Sequence, residues 1–170
     1  MGLGWTHAHQ VILRLVPGTP NRIIVRTANA SATHFTESGP GSGHYEGEAG
    51  AASVIDFDAG MGRYDLLAVD RTRYVFEDVN SDGVFEIVSR VWPSQETWTY
   101  TYTAGKLSRV ADDYGRRLDF TYIQNPGNFD HGQLWRVGDQ TANGLDGGNP
   151  TGRYVEYGYT PQKNDGVPIS

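Results

Sequence analysis

The 170-residue sequence contains no cysteine, only two lysines and no long apolar run. Without cysteine, the chain has neither disulfides nor a thiol nucleophile. No apolar segment approaches the roughly 20 residues of a spanning helix, which argues against a transmembrane helix. Residues 1–7 lack the basic and apolar regions of a signal peptide. Runs rich in Ala, Leu, Glu and Lys, the usual material of helical bundles, are also missing.

The charge of the chain is acidic, with 20 acids against 14 bases and a formal net charge of −6. Because phosphate binding needs a concentrated positive field, this balance argues against a nucleic-acid partner. Only Lys106 and Lys163 are lysines, and the other bases are arginines. Arginine suits fixed pairing with carboxylates, so the bias predicts ordered ion pairs.

The residues that are abundant point to strands and turns. The chain holds 22 Gly and 8 Pro, together with 10 Tyr, 6 Phe and 4 Trp. Gly and Pro separate short runs rich in Tyr, Trp, Thr and Val, which predicts an all-β fold of serial antiparallel hairpins. We expect a hairpin region over 1–97 with a Gly-rich loop at 37–53, a repeat region over 98–160, and a loop-like tail over 161–170.

An internal repeat organises the second half of the chain. Residues 105–112 recur at 132–139, and residues 115–122 recur at 152–159, with a ten-residue insertion between the two halves of the second copy. A third, weaker copy precedes them, with 88–91 matching 107–110 and 98–102 matching 118–122. The unit is therefore about 20 residues, or two strands and two turns. Its motif residues are Leu107, Arg109, Val110, Asp112, Gly115, Arg116, Phe120 and Tyr122, followed by Leu134, Arg136, Val137, Asp139, Gly152, Arg153, Tyr157 and Tyr159.

Strand alternation predicts the faces on which these residues lie. One face carries an aromatic stripe that includes Phe120 and Tyr122, and its rings either form the core or provide a sugar-stacking surface. In the other strand, Leu107 and Arg109 share one side and Val110 takes the other. Arg90, Arg109 and Arg136 then form a ladder, which either pairs with Asp112 and Asp139 or is merely solvated.

These motifs resemble the YD repeats of the Rhs (rearrangement hot spot) family. The resemblance is specific from Trp98 to Tyr159, and it extends loosely to Gly4-Trp5-Thr6-His7 and Tyr74-Val75-Phe76. It implies a curved sheet that is part of a spiral shell, with further YD repeats as partners and no catalytic role. Family shells enclose a toxin domain or, in teneurins, serve adhesion, which implies a secreted or cell-surface protein. The Asp-Pro-x-Gly-Leu segment that closes the Rhs core is absent, and three repeats cannot close a cage.

Two other readings of the sequence stay open. Asp78, Asn80 and Asp82 have the alternate spacing of a calcium loop, although Ser89 stands where an EF-hand has Glu. The same residues also suit an ordinary turn between strands. The exposed aromatics of a stand-alone module could instead bind carbohydrate at a cell surface. No constellation of residues predicts catalysis, and no cofactor other than calcium is indicated.

Overall fold

A computed structural model of the chain describes residues 9–27, 31–48, 52–124, 132–139, 145–146, 149–150 and 153–158. These residues form strands and turns, and none of them belongs to a helix that could cross a membrane. The all-β prediction is confirmed. The strands are β1 (Ile12–Val16), β2 (Arg22–Arg26), β3 (Ala32–Glu37), β4 (His44–Gly47), β5 (Val54–Asp58), β6 (Arg63–Leu67), β7 (Arg73–Glu77), β8 (Val84–Val91), β9 (Thr97–Thr103), β10 (Lys106–Asp112), β11 (Arg117–Tyr122), β12 (Leu134–Asp139), β13 (Leu145–Asp146), β14 (Asn149–Pro150) and β15 (Tyr154–Glu156).

Thirteen of these strands form one antiparallel sheet, in which neighbours in sequence are neighbours in space. The order runs from β1 to β12 and ends with β15, while β13 and β14 form a second, two-stranded sheet. β1 also pairs with β8, so the first eight strands close into a barrel. The predicted serial hairpins are therefore confirmed, and closure into a barrel is an addition that the sequence did not indicate.

Strand β8 is the branch point between the barrel and the rest of the sheet. Its first half pairs with β1, where Phe85 lies opposite Leu13. Its second half pairs with β9, where Arg90 lies opposite Trp98. Along its other edge, β8 pairs with β7 over both halves. A strand of eight residues is long enough to serve both partners, so the extension β9–β12 and β15 leaves the barrel directly from its wall.

The interior of the barrel is filled by alternate side chains, as the pleat of a strand requires. Six of the eight strands contribute completely buried apolar side chains: Leu13, Ile23, Phe35, Ile55, Phe76 and Ile87. The same cluster of buried residues continues into the extension through Tyr100, Val110 and Phe120. One core therefore serves the barrel and the extension.

The region 37–53 differs from the continuous Gly-rich loop that the sequence predicts. It contains β4, which pairs with β3 on one side and β5 on the other. Gly41 and Gly43 have positive φ angles of 71° and 68°, so these glycines serve the short β3–β4 connection. Tyr45 is buried and fixes β4 against the core. Because glycine is frequent in this region, the sequence did not predict the four-residue strand β4, which the buried Tyr45 holds against the core.

Candidate functional site

The extension repeats one structural unit, and a β-bulge marks each copy. The extra residue is Val88 in β8, Ser108 in β10 and Trp135 in β12. The residue before each bulge is a buried aliphatic, namely Ile87, Leu107 or Leu134. Each of the three faces an aromatic of the preceding strand: Phe76, Tyr102 or Tyr122. A bulge bends its strand and raises the local twist of a sheet, and here it recurs in every second strand from β8 to β12.

In the first two units, a tyrosine hydroxyl of the second strand bonds to the first strand of the same unit. The Tyr102 hydroxyl donates to the backbone carbonyl of Ile87 at 2.9 Å. The Tyr122 hydroxyl donates to the carbonyl of Leu107, also at 2.9 Å. Both tyrosines are 15 positions after their acceptor, and both acceptors precede a bulge. The hydroxyl therefore satisfies a carbonyl at the point where the ladder is irregular.

The bulges correct two expectations from the sequence. Within β10, Leu107 and Val110 are both buried, whereas the side chain of Arg109 is 44% exposed. The extra residue Ser108 breaks strict alternation, so Leu107 shares the core face with Val110 and not with Arg109. The pairing also makes Ile87, and not Val88, the equivalent of Leu107.

That shift of one residue places Arg90 apart from the expected arginine ladder. Arg90 is the counterpart of Val110 and lies on the core side, opposite Trp98 and Tyr74. Its guanidinium carbon lies 4.2 Å from the Trp92 ring centroid and 5.1 Å from that of Tyr74. The predicted ladder of Arg90 with Arg109 and Arg136 is therefore wrong for Arg90.

Arg109 and Arg136 do make ion pairs, but with acids of the following strand. Arg109 Nε donates to Asp119 Oδ1 at 2.7 Å, and Arg136 Nε donates to Glu156 Oε1 at 3.1 Å. Each arginine lies directly opposite its acid in the ladder. Asp119 is only 6% exposed and also accepts from Arg117. Asp112 and Asp139 are not the partners of Arg109 and Arg136, because each acid lies three residues further along the same strand as its arginine.

Asp112 and Asp139 instead bind the arginines that precede the next strand. Arg116 Nε donates to Asp112 Oδ2, and Arg153 Nε donates to Asp139 Oδ2 at 3.3 Å. Desolvation acts to raise the pKa of Asp112, but the hydrogen bonds and charge of Arg116 outweigh it and hold that pKa below its usual value. Gly115, with φ of 83°, forms the turn that brings Arg116 back. The two copies thus share two kinds of ion pair at equivalent positions.

A groove of about 540 Å³ lies at the end of the extension where these Asp–Arg pairs meet. Its floor includes Trp98, Val110 and Leu118. Ladder pairing places Asp112 opposite Trp98, and Asp139 opposite Leu118. Both acids therefore lie on the same face of the sheet as the apolar floor of the groove. Arg116 and Arg153 complete the wall. The repeat therefore builds a concavity that is apolar below and charged at its rim.

The remaining motif residues divide between core and edge. Phe120, Tyr122 and Leu134 are buried, and Val137 packs against the same core. Tyr157 is exposed beyond β15. Gly152 and Tyr159 lie outside the described residues.

The aromatic stripe is part of the core in β9 and β11, whereas Tyr157 after β15 is exposed. Tyr100, Phe120 and Tyr122 are all buried. His9 covers this stripe, with its ring centroid 5.4 Å from Trp98 and 6.0 Å from Tyr100. Burial, and then the charge of Arg90, lower the pKa of His9. The core reading is thus favoured for this stripe, and carbohydrate binding stays a prediction.

The segment with calcium-loop spacing forms the turn between β7 and β8. The two carboxylate oxygens of Asp78 accept backbone N–H groups of Asp82 and Gly83, each at 3.0 Å. Asn80 donates to Glu86 at 2.9 Å. Among the described residues, no group of three His, Cys, Asp or Glu side chains is placed to hold a metal. The geometry is that of a turn closed by its own side chains, and calcium binding stays a prediction.

The sequence carries a signal for two acids of the site. Asp119 and Glu156 occur at equivalent positions of the two copies, and a recurring acid opposite a recurring arginine indicates a cross-strand pair. Leu118 and Trp98 belong to the groove because of strand pairing, which sequence spacing alone does not give. Comparison with known proteins adds no assignment, since no family model and no curated protein sequence matches the chain.

Proposed function

We propose that this chain is a non-catalytic structural segment of a YD-repeat shell of the Rhs type, which encloses or presents a toxin or adhesion domain in a secreted or cell-surface protein. The observation that carries the proposal is the three-fold recurrence of a bulge after a buried aliphatic residue, at Ile87, Leu107 and Leu134. A site for chemistry needs one distinctive constellation of groups. Here the distinctive geometry is repeated, which suits a wall that grows by adding equal units.

Each unit places its buried aliphatic residue opposite an aromatic of the unit before it, Leu107 opposite Tyr102 and Leu134 opposite Tyr122. Within a unit, the Tyr122 hydroxyl donates to the Leu107 carbonyl, and the Arg136–Glu156 pair repeats the Arg109–Asp119 pair. Bulges at a fixed place in every second strand add curvature in a constant sense, as a spiral wall requires. The closed barrel supports the proposal by providing a rigid start from which β9 departs.

The outer edge of β15 is where further strands would add. Tyr157 N–H donates to the Trp135 carbonyl, and Asp139 N–H donates to the Arg153 carbonyl. In an antiparallel pair successive residues alternate their hydrogen-bonding direction, so the backbone groups of Tyr154 and Glu156 face away from β12. Among the described residues, no strand pairs with that edge. An edge of this kind can pair with another strand.

Association of the chain through this edge is the test. We expect sedimentation velocity to show association that increases with protein concentration. Glu156→Pro removes an outward N–H and should leave the protein monomeric. Glu156→Gln is the matched control, because it removes the charge but keeps the N–H, and it should associate as the unsubstituted protein does. A protein that is monomeric and stable at every concentration would refute the proposal.

A further inference from the structure

The rim of the groove over Trp98, Val110 and Leu118 presents cations and hides their anions. The side chain of Arg116 is 71% exposed while that of its partner Asp112 is 5% exposed. The side chain of Arg153 is 94% exposed, against 27% for Asp139. A ligand that enters the groove therefore meets guanidinium groups before it meets carboxylates.

These guanidinium groups keep donors available for a ligand. Each guanidinium has five N–H donors in a planar fork. Arg153 contributes its Nε to Asp139, and Arg116 contributes its Nε to Asp112 and Nη2 to Glu96, the latter at 3.5 Å. The donors left over suit paired hydrogen bonds to carboxylate oxygens.

The spacing of the two cations follows from the repeat. Arg116 precedes β11 and Arg153 precedes β15, which are two strands apart in the sheet. Arg153 is level with Leu118 in the ladder, through Asp139, and Arg116 lies two residues before Leu118. With strands about 4.8 Å apart and a rise of about 3.3 Å per residue, the two backbone positions are roughly 12 Å apart. Leu118 lies on the floor between the cations and is partly exposed to solvent, and Asp139, which Arg153 binds, lies beside it. The site thus consists of two cations with an apolar side chain and an already paired acid between them.

We propose that this groove binds an extended acidic peptide segment with the pattern acid-x-apolar-x-acid. In an extended chain alternate side chains share one face, so both acids and the apolar residue between them point the same way. The acids are about 13 Å apart along such a chain, a span that flexible arginine side chains can meet. The acids contact Arg116 and Arg153, and the apolar side chain contacts Leu118. This proposal goes beyond the structural role and does not depend on strand addition at β15.

The probe is the peptide Glu-Ser-Leu-Ser-Glu-amide, which carries a fluorescent dye on its N-terminal nitrogen, titrated with the whole chain and followed by fluorescence anisotropy. We expect saturable binding that weakens with added salt, because the charges are exposed. Arg153→Gln, Arg116→Gln and Leu118→Ser should each lower the affinity roughly 3- to 10-fold. Arg153→Gln is the safest variant, since that side chain is almost fully exposed. Arg73→Gln is the matched control, because Arg73 pairs with Asp65 on the barrel, away from the groove. This variant should bind the peptide as tightly as the unsubstituted protein does.

Four results would overturn the proposal. These are no saturable binding of the peptide, equal binding of a peptide with Lys in place of Glu, and unchanged affinity in both arginine variants. The fourth is tighter binding of a uronate oligosaccharide than of the peptide, which would make the occupant a glycan. Circular dichroism of every variant verifies that the fold is retained.

Discussion

The tyrosine hydroxyl that joins the two strands of a unit gives the sharpest test of the repeat. Tyr122→Phe deletes a single oxygen from a buried side chain and leaves the carbonyl of Leu107 without that donor. A typical hydrogen bond contributes about 1 kcal/mol to stability, and a buried polar group left unsatisfied costs about 1–3 kcal/mol. We therefore expect Tyr122→Phe to lower the free energy of unfolding by about 1–2 kcal/mol.

The equivalent substitution in the preceding unit should behave alike. Tyr102→Phe removes the bond to the carbonyl of Ile87, which has the same length and the same place beside a bulge. Truncation to alanine also empties the space of the ring, so Tyr122→Ala should cost about 3–5 kcal/mol. Tyr114→Phe is the control, since Tyr114 is 74% exposed in a turn, and it should change stability by less than about 0.5 kcal/mol.

Urea unfolding followed by circular dichroism measures these differences. The slope of free energy against urea should be unchanged, so that the midpoint alone reports stability. If Tyr122→Phe and Tyr102→Phe shift the midpoint no more than Tyr114→Phe does, the hydroxyl bonds do not stabilise the units. A loss of only a few tenths of a kcal/mol for Tyr122→Ala would place the aromatic stripe outside the core.

Two further predictions concern charge. Burial is the main reason that the pKa values of Tyr64, Tyr100 and Tyr122 rise to about 12. Since the unfolded chain loses these protons near pH 10, the free energy of unfolding should be intact below pH 10 and fall by about 2–3 kcal/mol per tyrosine as pH rises to 12. Tyr122→Phe should make this fall smaller. A flat stability profile in alkaline urea titrations would contradict the prediction. Asp119→Asn should cost about 2 kcal/mol in urea unfolding, because a buried carboxylate loses its charge beside two arginines, whereas Glu156→Gln at the exposed equivalent position should cost less than about 0.5 kcal/mol. Equal costs at the two positions would be inconsistent with the burial described above.

The sequence predicts the repeated two-strand unit, but it does not predict that the first eight strands close into a barrel. Turn residues between alternating apolar runs predicted the strands, and repeated letters predicted which strands are equivalent. The pairing of β1 with β8 joins residues more than 70 positions apart, such as Leu13 and Phe85, and no local pattern encodes it. Closure depends on how strongly successive strands twist, which is a property of the whole sheet.

Bulges account for the errors at the site. A bulge changes which face a residue takes without changing the sequence spacing, so alternation assigned Leu107 to the side of Arg109, and Arg90 to the ladder. The alternative in which Arg109 pairs with Asp112 is wrong for a related reason, because distance along one strand says little about the neighbouring strand. Cross-strand partners such as Arg109 and Asp119 become visible only once the register is known.

The central claim, that this chain is one panel of a larger repeat shell, is tested most directly by the mass of the native protein. An antibody raised against residues 97–124 would detect the protein in extracts of its host after denaturing electrophoresis. We expect a polypeptide far larger than 18.7 kDa, the mass of this chain. A native polypeptide of 18.7 kDa would contradict the claim.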